Sequence, residues 1–600
     1  MAVLSYSNEH EAGAAIVENG EIITAINEER LSRVKNQDGF PQKSIDYVLK
    51  DSGKYYNDID HVVIPEISKF RDLFTNVFAK YPFTLFSKPK GVKASFLDYV
   101  RQFLYAGYIL LNAYQRTLRE HTNDEGRLKK MFPNAKFHRI GHHEAHAASA
   151  FYTSGFGKAI IVTADYWGDF ITSMISVGNG KELTPIFKTY YPHSLGHFYA
   201  SLTKWLGFRA NRHEGKILGL AAFGDANSPI YDEIKDLLVV DGMSIKAPLM
   251  IGKMWHPKFK FLENCLMKRL LENHSREDIA AVFQRRFEEV FVELITKAVA
   301  KLGINKVVLA GGAFANVKLN QRIYEIEDVE TVYIYPNMSD GGISQGAALY
   351  YDICQNGSQG AKIPNAYYGP SYTDEEIEAA LKKNNVVYKK LDNIEADIAK
   401  VIAENKVVAR FNGGMELGPR ALGNRSILYQ TVDPAVNDWL NKRLKRTEFM
   451  PFAPVTLEEY ADKCYINFKD ASFAAKFMTI TFDCTDYMKE NSPATVHVDG
   501  TARPQVINEK DNPSYYKILK EYHKITGIPS LVNTSFNMHE EPIVCTPDDA
   551  IRSFLSGTLD YLAIGNFMVK YSEQSEENQK LAEAYKIDEP KEANKELLRA

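Results

Sequence analysis

Residues 2–26 read AVLSYSNEHEAGAAIVENGEIITAI, and their apolar runs, broken by turn residues, predict strand, turn, strand, turn, strand. Asn19-Gly20, between AGAAIVE and EIITAI, tolerates the positive φ of a two-residue hairpin. The hairpin opens an α/β fold in this reading, as the start of a nucleotide-binding lobe. Two later runs extend it: AIIVTAD at 159–165 and KVVLAGG at 306–312 read as buried strands, one ending in a carboxylate and the other in a glycine pair. Between them Ile279, Val282, Phe283, Phe287, Val290, Phe291, Leu294, Ile295 and Val299 recur at three- and four-residue steps, predicting a long amphipathic helix that serves packing.

QNGSQGAKIPNAYYGPS at 355–371 is rich in turn formers, and the pattern restarts beyond it with a helix at 373–384 and a strand at 407–411. The main boundary is expected there, giving a first domain at 1–357, a linker at 358–371, a second domain at 372–540 and a segment at 541–600 that packs back on the first. The charged stretch after Tyr571 reads as a surface helix or loose tail. No tandem repeat is visible.

The 600 residues exceed what one core usually supports, which agrees with two domains. Lys and Arg number 72 against 76 Asp and Glu, so bulk charge gives no argument for nucleic acid. Cys265, Cys354, Cys464, Cys484 and Cys545 are scattered, without zinc spacing, and fit a reducing compartment such as the cytoplasm. No secretory signal is expected, nor a membrane span. FLYAGYILLN at 103–112 is far shorter than the roughly 20 apolar residues a spanning helix needs. Residues 69–108 interleave aromatics with lysines; a core with snorkelling lysines is the default reading, and a platform for a large or lipid-bearing ligand is the alternative.

HHEAHAASAF places His142 and His146 four residues apart, on one face of a helix, with His143 pointing elsewhere. An isolated His-x-x-x-His is more often a polar cluster than a metal site, so further ligands are required. Asp165 and Asp340, in SDGG, are the candidates, and two imidazoles with carboxylates suit Fe(II), Mn(II) or Zn(II). Gly311, Gly312, Asn316 and Asn320 in GGAFANVKLN suggest backbone amides approaching phosphate, although a plain strand-to-helix turn has the same pattern. Gly215 and Lys216 in EGKILGLAAFG are a second phosphate candidate.

Beyond the linker come Glu416, Arg420 and Arg425 in GMELGPRALGNRSI, then Lys445, Arg446 and Glu448, HVDGTARPQ with His497, Asp499 and Arg503, and NTSFN with Asn533, Ser535 and Asn537. Together they read as a cationic, amide-rich surface for an acyl phosphate or pyrophosphate. Surface ion pairs and Asx turns would explain any one of them alone.

In order, these motifs resemble the O-carbamoyltransferase family of nodulation protein U and the cephamycin and tobramycin carbamoyltransferases. The likeness runs from about residue 3 to 570 through GEIITAINEERLSRVK, HHEAHAASAF, EGKILGLAAFG, GGAFANVKLN, GMELGPRALGNRSI, MPFAPV, HVDGTARPQ and NTSFNMHEEPIVCTPDDA. The resemblance implies an N-terminal actin/sugar-kinase-like ATPase domain, similar to the tRNA threonylcarbamoyl transferase. It also implies a C-terminal α/β domain like the threonylcarbamoyl adenylate synthase. ATP and carbamoyl phosphate would give carbamoyl adenylate in the second domain, and the carbamoyl group would pass, protected from water, to an acceptor hydroxyl beside an iron in the first.

Carried over by position, His142, His146, Asp165 and Asp340 are the metal ligands. Arg503, Arg420, Lys476 and Ser535 are expected to be catalytic. Gly215, Lys216, Gly311, Gly312, Asn316, Asn320, Asn533 and Asn537 are expected to bind nucleotide, with Mg an accompanying ion, and Glu28, Glu29 and Arg30 to line the acceptor side, a solvated turn being their plain alternative. A small molecule or glycan is the expected acceptor, and a homo-oligomer is compatible. Two departures stand out: Tyr166 follows Asp165 where the family commonly has glycine, and RTEFMPFAP replaces the Lys-x-Arg-Glu pattern of antibiotic-pathway members, leaving Lys445 without an assigned role. A tRNA threonylcarbamoyl enzyme and a nonenzymatic ATP-responsive regulator are the rival readings. The first predicts a broad basic face, against which the near-neutral charge and lack of a basic arm count, and the second leaves the histidine pair without a purpose.

Overall fold

The computed structural model describes residues 1–66, 95–247, 250–254, 265–446 and 450–584. Most of the aromatic and lysine-rich stretch 69–108 lies outside the described residues, as does Glu448. The run 103–112 falls within a helix at Phe96–Met131, and no helix among the described residues is long and apolar enough to cross a membrane. The chain divides into two compact units, Met1–Thr24 with Asp38–Lys362 and Ala25–Gln37 with Ile363–Ala600.

The first unit carries two five-stranded sheets. β1 (Val3–Ser7), β2 (Gly13–Glu18) and β3 (Glu21–Asn27) form the expected hairpins, with Asn19 and Gly20 at φ of 52° and 81°. β4 (His61–Ile64) and β5 (Lys136–Arg139) complete the order β3-β2-β1-β4-β5, with β1, β4 and β5 parallel. The second sheet repeats this plan. β6 (Lys158–Gly168) pairs antiparallel with β7 (Ile171–Asn179), and β7 with β8 (Glu182–Tyr190). On its other side β6 runs parallel to β9 (Lys306–Ala310), which is parallel to β10 (Thr331–Ile334). Two copies of one topology, absent as a sequence repeat, are the actin/sugar-kinase type of ATPase fold.

Helix α1 (His142–Ser154) packs on β6 and β9, while a second helix, Ile343–Tyr350, packs on β1 and β2 and against α1, so the helix pair joins the two sheets. Gly346 permits this approach, because a Cβ there would run into the Ala145 carbonyl. Residues 159–165 of β6 are buried throughout, which is why the run is continuously apolar rather than alternating.

In the second unit, β11 (Tyr388–Lys390), β12 (Val408–Phe411), β13 (Arg425–Tyr429), β14 (Ala453–Leu457), β15 (Gln505–Ile507), β16 (Ser530–Ser535), β17 (Tyr561–Ile564) and β18 (Phe567–Lys570) form one sheet in the order β11-β18-β17-β12-β13-β16-β14-β15. Alternation sorts its side chains into two cores. Ala409, Phe411, Ile427 and Val532 face one layer, and Val408, Leu428 and Leu531 the other.

The organisation differs from the expected boundaries in two places. Residues 541–584 fold with the second unit, where β17 pairs with the central strand β12. Residues 25–37, expected in the first domain, fold with the second unit, where Arg33 donates to the Pro542 and Ile543 carbonyls, each at 2.7 Å.

Candidate functional site

Four side chains in the first unit converge. His142 and His146 project from the first turns of α1, Asp165 ends the buried run of β6, and Asp340 begins the turn before Ile343–Tyr350. One ligand atom from each lies within 4.8 Å of all the others. His142 Nε2 is 3.4 Å from Asp165 and 3.7 Å from Asp340, and His146 Nε2 is 3.0 and 3.5 Å from the same two carboxylates. Ligands around one small divalent ion, with bonds of about 2.0–2.2 Å, stand roughly 3–3.5 Å apart, close to the four histidine–carboxylate distances.

The donors fit too. Among the described residues neither nitrogen of the fully buried His146 makes a hydrogen bond, and its Nε2 faces Asp165 out of hydrogen-bond line. A buried imidazole left this way is costly unless something further binds it. Glu9 adds a carboxylate 3.3 Å from His142 Nδ1.

Electrostatics follow from this crowding. Burial alone would lower both imidazole pKa values. Glu9, Asp165 and Asp340 instead carry His142 well above its ordinary value, and Asp165 and Asp340 raise His146. Burial would raise Asp165, but His146 and His142 hold it well below the usual carboxylate range. The centre thus carries excess negative charge, which suits a divalent cation.

The residues beside these four hold them. Gly312 N–H donates to Asp165 Oδ1, and Gly311, at φ 102°, permits the turn that delivers that amide. Asp169 Oδ2 accepts the His142 backbone N–H at 2.8 Å, and burial pushes the Asp169 carboxyl up to about 6. His143 points away, as its spacing predicts. Its Nε2 donates to the Ile171 carbonyl at 3.0 Å, Nδ1 accepts from Thr163 at 2.8 Å, and burial pushes its pKa down to about 3. Tyr166 stacks on His197 at 4.7 Å with its hydroxyl 3.2 Å from that of Tyr105, so the departure after Asp165 puts an aromatic wall next to a ligand.

The other candidates of this unit have structural partners. Asn316 caps the helix Val317–Tyr324 through Leu319 N–H at 3.1 Å and exchanges hydrogen bonds with Gln284, and Asn320 donates to the Phe314 carbonyl at 2.8 Å. Gly215 and the buried Lys216 open the helix Glu214–Ala221, where a Cβ at Gly215 would meet nothing.

In the second unit, two loops carry several of the remaining candidates. Glu416 is buried, with Oε1 accepting from the amides of Leu422, Asn424 and Arg425 at 2.9, 2.7 and 3.0 Å. Arg425 is not a phosphate fork. It is fully buried, its Nη atoms donate to the carbonyls of Asn412, Gly413, Asn424 and Pro370, and it lies 3.7 Å over Phe411.

Arg446, read in the sequence only as one member of the cationic surface, organises the NTSFN turn. It donates to Thr534 Oγ1 at 3.0 Å and to the carbonyls of Ser535 and Asn537 at 2.6 and 2.8 Å. Asn533 donates to Gln505 and Ala421 at 2.8 and 3.2 Å, and Asn537 to Met538 and Glu541. Arg420 and Arg503 are half-buried, and Lys476 pairs with Asp511 at 2.8 Å. Glu28, Glu29 and Arg30, expected on the acceptor side of the first domain, lie in the second unit, where Arg30 donates to the Gly418 carbonyl at 2.8 Å.

Comparison with known proteins adds independent findings. A family model described as carbamoyltransferase N-terminus matches residues 3–349, and one described as carbamoyltransferase C-terminus matches 399–571. The uncharacterized protein sll1178 of Synechocystis sp. is 31% identical over 96% of this chain and 98% of its own length. Nodulation protein NolNO of Sinorhizobium fredii is 29% identical over 95% of this chain and 80% of its own. NolO of Bradyrhizobium diazoefficiens is 31% identical over 72% and 79%. Among solved structures, HypF of T. kodakarensis overlaps 60% of this chain and 48% of its own at TM-score 0.34 and 11% identity, too slight an overlap to bear on function.

Proposed function

Because the chain belongs to the carbamoyltransferase family, we propose that it is an ATP-dependent O-carbamoyltransferase whose two units carry successive half-reactions. Carbamate, released from carbamoyl phosphate by water with inorganic phosphate leaving, is a poor electrophile. In the second unit one of its oxygens attacks the α-phosphorus of ATP and expels pyrophosphate, giving carbamoyl adenylate. Arg420 and Arg503 neutralise phosphate oxygens there, and Lys476 joins them by exchanging Asp511 for phosphate. Ser535, Asn533 and Asn537, on the turn that Arg446 fixes, hold the nucleotide or carbamoyl end.

In the first unit an acceptor hydroxyl attacks the carbamoyl carbon, AMP leaves, and the hydroxyl proton passes to base. His142, His146, Asp165 and Asp340 would hold a divalent ion at this step, with Fe(II) the choice that the family likeness favours. Such an ion supplies Lewis acidity, either on the carbamoyl oxygen or on the acceptor hydroxyl. Gly215, Lys216 and the Gly311-Gly312 turn are the phosphate-facing candidates of this unit.

The observation that carries the reading is the convergence of two buried imidazoles on two carboxylates, with the His146 nitrogens left unbonded. Pyrophosphate release with ATP and carbamoyl phosphate, set against ATP with threonine and bicarbonate, is the test. Release only with carbamoyl phosphate, together with an acceptor hydroxyl that gains a carbamoyl mass, is expected. Release dependent on threonine, or no release at all, would overturn the proposal.

A further inference from the structure

The turn between β1 and β2, residues 8–12, reads in the sequence only as a connection between strands. Its side chains do something else. Glu9 Oε2 stands 3.3 Å from Nδ1 of His142, the ring nitrogen that faces away from the carboxylate pair; this is an ion-pair approach, close enough to become a hydrogen bond with a small turn of either side chain. Two residues on, Glu11 Oε2 accepts from the Ser339 hydroxyl and, at 3.4 Å, from the Gly341 amide, the residues on either side of Asp340. Glu11 sits at φ 61°, a left-handed conformation that a glutamate adopts only where its surroundings hold it. One short turn therefore grips two candidate ligands that come from different elements, His142 on α1 and Asp340 before Ile343–Tyr350.

We propose that Glu9 and Glu11 are positioning residues of the metal centre: Glu9 fixes the tautomer and ring orientation of His142, and Glu11 fixes the turn that delivers Asp340. This rests on the metal-centre reading given above. A carboxylate that accepts a hydrogen bond from the Nδ1–H of a neutral imidazole keeps the proton on that nitrogen, leaves Nε2 with its lone pair on the ion side and makes Nε2 a better ligand. Asp340, the more exposed of the two carboxylates, comes from a turn, so its placement depends on what pins the turn. Asp165 needs no such help, being buried in a strand and held by Gly312 N–H. Of the two imidazoles, His142 is the one with a carboxylate within ion-pair distance of Nδ1. Among the described residues His146 meets carboxylates only through Nε2, which faces Asp165 and Asp340.

The test is Co(II) titration of the full-length apoprotein, followed by visible d–d absorption and by competition with a chelator. Native protein, Glu9→Gln, Glu11→Gln and His142→Ala are compared. Loss of an outer carboxylate partner typically weakens metal affinity about 10- to 100-fold. Glu9→Gln and Glu11→Gln are each expected to weaken Co(II) binding within that range and to shift the absorption band, with the urea midpoint of the apoprotein unchanged. Glu9→Asp should restore part of the Glu9 effect, which a loss of general stability would not show. Native affinity and an unshifted band in both glutamine variants would overturn the positioning role while His142→Ala still abolishes binding. If His142→Ala binds Co(II) like the native protein, the metal centre itself is wrong and the proposal falls with it.

Discussion

Arg425 shows how one residue type can carry opposite meanings. In the motif GPRALGNRSI it reads as a second phosphate fork beside Arg420, yet it is fully buried and its donors end on carbonyls 2.8–3.2 Å away. Its charge is felt by the buried Glu416 without a direct ion pair, and Glu416 Oε1 is held by three amides, so the two side chains fix the loop from which Arg420 projects. Arg425→Met leaves Glu416 buried without its counter-charge and frees four carbonyls. It should cost about 3–5 kcal/mol, read from urea unfolding. A loss below about 1 kcal/mol, with the activity alone abolished, would restore the ligand-binding role. The metal candidates were legible because helix spacing and strand-end carboxylates are local signals. Glu9 and Glu11 were not, since nothing local tells a bracing glutamate from a solvated one. His193 was likewise silent. Burial pushes it down to about 4, and its Nδ1 accepts the Ala247 amide at 3.1 Å. Its folded pKa lies below the unfolded value of 6.5, so the unfolded chain takes up the proton first. The associated stability is therefore complete above pH 6.5 and drains as pH falls towards 4, at about 1.4 kcal/mol per pH unit. His193→Asn, which keeps an acceptor for Ala247, should shrink the stability difference between pH 7 and pH 5 by about 2 kcal/mol. Urea midpoints at the two pH values check it, and an unchanged difference would show that His193 titrates normally.

At the level of elements, α1 and the helix Ile343–Tyr350 decide whether the ligands meet. Their contact brings the histidine-bearing turn of one towards the Asp340 turn that begins the other, and Gly346 lets the backbones come close enough. Alanine is intrinsically the better helix former by about 1 kcal/mol, so Gly346→Ala would stabilise the protein if propensity governed. A Cβ there instead meets the Ala145 carbonyl, which belongs to α1 between the two histidines and has little freedom to yield. The variant should lose about 1–3 kcal/mol and bind Co(II) more weakly than the native protein. Gain of stability with native Co(II) binding would mean that the helix pair tolerates separation. This contact was invisible in the sequence, where SDGGISQGAALY shows a plausible helix but not its neighbour. The reason is general: apolar periodicity reports which face is buried, not what covers it. The repeated sheet was hidden for a related cause. Both sheets need the same strand directions, but strands such as VLSYS and KAIIVTADYWG satisfy that need with unrelated side chains.

On the scale of the whole chain, the two constellations lie in separate compact units, one built from two sheets of a single topology and the other from one mixed sheet. Each unit has its own cores and its own set of chemistry-bearing residues, so damage at either site should stay local in both stability and partial activity. His146→Ala removes an imidazole from the first unit without touching Arg446, Arg503 or Ser535. It is expected to keep ATP-dependent pyrophosphate release while carbamoyl transfer falls at least about 100-fold, as when a metal site loses a ligand. Ser535→Ala and Arg503→Ala should do the reverse, with pyrophosphate release falling about 10- to 1,000-fold, the range for losing a preorganised charge contact, and native Co(II) binding retained. Measuring the partial reactions side by side on the full-length protein distinguishes this division of labour from a single composite site. If His146→Ala abolished pyrophosphate release in step with transfer, the two half-reactions would share one centre, and the assignment of adenylate formation to the second unit would have to be abandoned.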